Sequence, residues 1–121
     1  MNLHTIHESE VSAVHLPGRW HKMIVGPGQF GPASHMCFGV AEFPPDEQAP
    51  EHVHEQAEEI LYILTGRGQF FFDGHPEEVE PGVCVYVPPG VFHRISVTGN
   101  EILKVAYVFS PPVRQGSYDR K

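Results

Sequence analysis

An all-β fold of antiparallel strands, a sandwich or a barrel, is what the 121-residue sequence predicts. Twelve glycines and twelve prolines interrupt the chain. Helix interiors tolerate neither well, so a helical bundle is excluded and many turns are required. Between those turn residues, apolar runs of strand length recur at short intervals, with almost no helical period.

The elements follow in chain order. Residues 1–18 mix polar and apolar positions without clear periodicity and end in Leu16-Pro17-Gly18, a turn signal. Residues 20–25 are a mostly apolar run closed by Gly26-Pro27-Gly28, and residues 35–43, apolar except at His35 and Glu42, close at Pro44-Pro45-Asp46. A short segment at 51–54 leads through a loop into a strand at 59–64. The alternative, a helical turn over 55–61, is disfavoured because the apolar run is short and bounded by Thr65-Gly66. Residues 69–72 and 77–79 form a hairpin about Asp73-Gly74, because both central positions of a type I′ turn need positive φ. Val-Cys-Val-Tyr-Val at 83–87 is rich in strand formers and stops at Pro88-Pro89-Gly90. Strands at 91–97 and 102–109 flank Thr98-Gly99-Asn100, and Pro111-Pro112 ends the last. The expected organisation is one domain: an N-terminal segment 1–18, a barrel 19–112 and a polar tail 113–121.

Eight Lys and Arg against 15 Asp and Glu give a net charge of −7, which weighs against nucleic acid and against an anionic membrane surface as partners. No apolar stretch has the length of a membrane span, and Met1-Asn2-Leu3-His4-Thr5 has neither the cationic start nor the apolar core of a secretory signal, so a cytoplasmic location is expected. Two cysteines do not make a disulfide framework. Cys37 and Cys84 both sit in apolar runs and read as buried free thiols.

Nine histidines are many for a chain of this size, and two of them carry the chemistry. His52 and His54 stand two apart, so a strand places both imidazoles on one face with Val53 on the other. Imidazole is the commonest protein ligand for divalent transition metals, and a carboxylate a few residues on, Glu58 or Glu59, suits the same ions. His93, after the second Gly/Pro cluster, is a fourth candidate.

These residues resemble the two motifs of the cupin superfamily. His52 and His54 match the first motif's His-x-His, Glu59 its glutamate after a four-residue gap, and Gly66 its glycine six residues further on, which selects Glu59 over Glu58. Gly82, Pro88, Gly90 and His93 match the second motif. Asp46 departs from the first motif and Val97 from the second, standing where a glycine and an asparagine are expected, and neither position is a metal ligand in the family. The resemblance implies a small single-domain, jelly-roll-like β-barrel, with one divalent transition metal (Zn, Ni, Fe or Mn) held by His52, His54, Glu59 and His93. It further implies an enzyme acting on a small oxygenated organic molecule, of dioxygenase, isomerase, lyase, decarboxylase or cyclase type. The alternative is a non-catalytic small-molecule or sugar-binding cupin.

The remaining candidates are read from strand alternation. With Lys104 outward, Val105, Tyr107 and Phe109 turn inward, which offers the Tyr107 hydroxyl to the pocket. If Cys37 and Ala41 face inward, His35 does too. Tyr107 and His35 are therefore the candidate catalytic proton carriers. His4, His7, His15, His21 and His75 have no spacing logic and are expected on the surface; Phe70-Phe71-Phe72 reads as core plus interface; and Arg94, next to a ligand, should point away from the metal. A homodimer is expected, because residues 20–25 would form an exposed edge strand and the Phe70 run is apolar on both faces.

Overall fold

The computed structural model describes residues 3–114. Residues 115–121 of the polar tail lie outside the described residues. After a single 3-10 turn at Glu8–Glu10, the chain forms nine strands: β1 (Val14–Leu16), β2 (Arg19–Val25), β3 (Cys37–Phe43), β4 (Glu58–Thr65), β5 (Gly68–Phe72), β6 (His75–Val79), β7 (Cys84–Val87), β8 (His93–Val97) and β9 (Leu103–Ser110). Six make one sheet in the order β1-β2-β3-β9-β4-β7, and three make another in the order β6-β5-β8. Every pairing between these strands is antiparallel. The two sheets enclose one apolar core, whose most deeply buried members include Ile63, Leu103, Val105 and Phe109. This is the expected jelly-roll-like barrel.

Turn chemistry sets the register. The β5–β6 hairpin turns at Asp73 (φ 49°) and Gly74 (φ 85°), the pair of positive φ values that a type I′ turn needs, and Phe72 pairs with His75 across it. Residues 53–57 are a loop, and β4 starts at Glu58. Segment 51–54 is not a strand. It is held by one backbone bridge between His52 and His93, with both N–H···O bonds at 2.9 Å.

Strand phase decides which side chains reach the interior. On β9, Leu103, Val105, Tyr107 and Phe109 are buried and the residues between them are not, as the outward Lys104 requires. Lys104 donates to Glu8 at 2.6 Å, and that bond lowers the Glu8 carboxyl from its ordinary value. On β2, Arg19, His21 and Met23 are buried, whereas Trp20 is exposed.

Three expectations need correction here. Strand β2 is not an edge strand: β1 pairs with Arg19 to His21 on one side and β3 lies on the other, so the run is not left as the sheet's bare edge. His35 lies in an exposed bend, because β3 begins at Cys37 and the alternation that buries Cys37 and Ala41 does not extend back to it. Cys84 is exposed, because in β7 it is Val85 and Val87 that turn inward. Cys37 is a buried free thiol, and burial raises its pKa.

Candidate metal centre

Four side chains from separate parts of the fold converge between the sheets. Glu59 is on the inward face of β4 beside Phe109 of β9 and Val87 of β7, while Glu58 faces outward and accepts a 2.7 Å hydrogen bond from the Tyr86 hydroxyl. His93 opens β8, and His52 is tied to it by the backbone bridge. The Gly90 N–H donates to the His54 carbonyl at 2.8 Å, which fastens the His-x-His segment to the Pro-Pro-Gly turn. One ligand atom from each of His52, His54, Glu59 and His93 lies within 4.8 Å of all the others. The rings of His52 and His93 are 4.2 Å apart, and those of His54 and His93 5.1 Å.

The surroundings orient these ligands. His93 Nδ1 is 2.9 Å from the Val91 carbonyl, and His52 Nδ1 is 3.2 Å from the Pro50 carbonyl. A carbonyl can only accept, so each Nδ1 carries the proton and each Nε2 keeps the lone pair that binds metal. Glu59 Oε1 is 3.3 Å from His54 Nε2 and 3.4 Å from His93 Nε2. Glu59 Oε1 and His93 Nε2 are nonetheless buried without a well-directed hydrogen bond among the described residues. Buried polar atoms left in that state are costly unless something else satisfies them. Three imidazoles and one carboxylate around a common point are a donor set for Zn, Ni, Fe or Mn, so the residues fit a divalent transition ion.

The electrostatics agree. Burial, and then the charge of His93, push the His52 imidazole down to about 3. It is therefore neutral and able to ligate at ordinary pH. Burial alone would raise the Glu59 carboxyl, but the close imidazole nitrogens of His54 and His93, 3.3 and 3.4 Å away, outweigh it and hold the group below its ordinary value. The carboxylate is thus ionised, as a ligand must be.

His52, Glu59 and His93 lie on the wall of a cavity whose other walls include Arg19, His21, Phe70 and Tyr107. Tyr107 is brought to this cavity; its ring leans across β3, because a Cβ on Gly39 would fall 2.5 Å from the Tyr107 hydroxyl. Gly39 is the direct cross-strand partner of Tyr107, and its missing side chain makes room for the ring. His21 stacks on the same ring at 4.8 Å between centroids. His35 is not brought to the site; its backbone carbonyl accepts a hydrogen bond from Ser110 Oγ instead.

Sequence reasoning missed Arg19 and placed His21 on the surface, yet both are buried and line the cavity. The available signal was the i, i+2 spacing of Arg19, His21 and Met23 on one strand face. It is masked by Trp20, whose apolar ring points outward at 44% exposure. Arg94 lies over the Phe71 ring at 4.0 Å, away from the ligands as expected.

Residues 39–109 match the family profile described as the cupin domain, more than half of the chain. The chain belongs to the cupin family. This cupin is 38% identical to the dimethylsulfoniopropionate lyase of Ruegeria pomeroyi over 92 residues, covering 76% of this chain and 58% of that protein. It is 33% identical to acireductone dioxygenase 1 of Coprinopsis cinerea over 76 residues, covering 58% of this chain and 42% of that one. The chain thus spans about half the length of these curated relatives. Among solved structures, the polyketide cyclase RemF of Streptomyces resistomycificus superposes with a TM-score of 0.77 at 25% identity, covering 97% of this chain and 84% of its own. No helix among the described residues is long and apolar enough to cross a membrane.

Proposed function

We propose that this cupin is a metal-dependent enzyme that acts on a small oxygenated organic molecule. The observation that carries the reading is the convergence of His52, His54, Glu59 and His93, three of which (His52, Glu59 and His93) line an interior cavity. The relatives named a lyase and a dioxygenase support an enzymatic role over a binding one. When bound, a divalent ion supplies Lewis-acid stabilisation of charge developing on a substrate oxygen.

The chain's own residues do the rest. His52, His54, Glu59 and His93 would hold the ion, and a substrate would reach it from the cavity that His52, Glu59 and His93 line. A ligand with two adjacent oxygens suits that arrangement: a hydroxy acid, keto acid, enediol or β-diketone. Phe70, Leu61, Ile95 and Phe109 keep bulk water from the reacting oxygens. Tyr107 Oη offers an exchangeable proton in the cavity wall, with the His21 ring stacked against the phenol.

We further infer a cytoplasmic homodimer. With β2 covered, the surface that suits a second copy is the outer face of β4 and β7. There Ile60, Tyr62, Leu64 and Tyr86 are each at least 41% exposed, and Ile60 pairs directly with Tyr86.

The test of the enzymatic reading is metal analysis of protein produced with each of Zn, Ni, Fe and Mn, followed by a screen of those four substrate classes on each loaded form. Turnover that disappears on chelation and returns with metal supports it. Turnover by the metal-free protein would overturn it.

A further inference from the structure

Two spaces, one interior and one open at the sheet edges, meet at Phe70. On one side lies the metal cavity, with about 30 Å³ of free space; on the other lies a cleft of about 310 Å³, in the measure by which one water needs about 10–15 Å³. Phe70 alone among the described residues lines both. It sits at the centre of the three-stranded sheet and is 2% exposed. Its ring lies parallel to that of His93, 6.5 Å away on the metal side, and stacks on Phe72 at 5.6 Å on the other.

The two spaces differ in what they can hold. The metal cavity has room for a chelating head of a few atoms and no more. The cleft reaches the lower range of small-molecule pockets. It opens between β6 and β7, the free edges of the two sheets, so side chains alone close it. Val79, Val83, Val85 and Val91 beside Phe72 give it an apolar side, and Cys84 and Tyr86 line it too. Its only charged lining residues among those described are Glu77 and Glu78, and Glu77 pairs directly with Phe70 across the sheet. Two carboxylates at the rim disfavour an anionic occupant.

We propose that the substrate is a bipartite molecule: an oxygen-chelating head in the metal cavity and an uncharged apolar body in the β6–β7 cleft, with the Phe70 ring turning aside to join the two. This rests on the metal-site reading above and adds the substrate's second half to it. Phe70 is then the residue that sets how large a body is accepted.

The probes are acetohydroxamate, octanohydroxamate and an octanohydroxamate ending in a carboxylate, titrated calorimetrically into the metal-loaded protein. Each buried methylene is worth about fourfold in affinity, so octanohydroxamate should bind at least about tenfold tighter than acetohydroxamate. The carboxylate-ended chain should lose most of that gain. Glu77→Trp fills the cleft from an exposed edge position without disturbing the core; it should remove the gain and leave acetohydroxamate binding and metal content unchanged. Phe70→Leu, which shortens the divider, should raise the ratio of octanohydroxamate to acetohydroxamate affinity. The assignment is overturned if the long chain gains nothing while acetohydroxamate still binds, or if Glu77→Trp leaves the gain intact. If the protein takes up no metal, or neither hydroxamate binds the loaded form, the metal-site reading itself fails, and this inference with it.

Discussion

Acid should destabilise the metal-free protein through His52, starting above the ordinary carboxylate range. Burial and the neighbouring charge of His93 lower this imidazole from 6.5 to about 3. The folded pKa lies below the unfolded one. Between about pH 6.5 and pH 3 the unfolded chain therefore binds the extra proton, and stability falls as pH falls through that window. At pH 5, one and a half units below 6.5 at about 1.4 kcal/mol per unit, the loss is about 2 kcal/mol. Glu59 acts lower down: its carboxyl is held below the ordinary 4.5, so its contribution is present above that value and is lost only as pH falls towards its folded pKa. The interval from pH 7 to pH 5 thus isolates the histidine. Urea unfolding of metal-free wild type and His52→Gln at both pH values measures the effect, with the variant cancelling the contributions of the other histidines. Wild type should lose about 2 kcal/mol more than the variant on going to pH 5. Equal losses, or a His52 imidazole that titrates near 6.5 by NMR, would refute the reasoning.

Glu59→Gln keeps the side chain's shape but removes the one anionic donor of the cluster. Metal affinity, measured by competition with a fluorescent chelator, should fall by more than the about 10- to 100-fold typical of losing an outer-shell partner. Tyr107→Phe should lower kcat with an accepted substrate while metal content and fold stay unchanged, because only a hydroxyl over Gly39 is lost; an unaltered kcat would remove Tyr107 from the chemistry. Tyr62→Glu places a charge in the middle of the apolar outer face of β4 and should shift sedimentation from a dimer towards the 13.5 kDa monomer, whereas a wild type already monomeric at micromolar concentration would contradict the dimer.

The four clustered side chains were legible because their chemistry is concentrated at positions with short, fixed spacing. His52, His54 and Glu59 lie within one turn-and-strand unit, and His93 follows a Pro-Pro-Gly turn that the backbone ties to His54. The Asp73-Gly74 hairpin was legible for a similar local reason: two positive φ values demand those residue types. What escaped depended on strand phase, which an apolar run does not reveal. In 83–87 every residue is apolar or aromatic, so nothing in the run shows that Cys84 and Tyr86 face outward. At β2 the hydrophobic signal is inverted: Trp20 faces out, while Arg19 and His21 face the cavity. His35 was misplaced because alternation was extended two residues beyond the true start of β3. Strand β1 has three residues of mixed character, and it forms only because β2 supplies a partner.

The central claim is that these four residues make a single divalent-metal site. The most direct measurement is the metal content, by elemental analysis, of purified wild type and of the His52→Ala/His54→Ala double variant, each supplied with excess metal and then desalted. The account predicts one ion per chain in the wild type and essentially none in the folded double variant. Undiminished metal in the double variant would contradict it and place the site elsewhere.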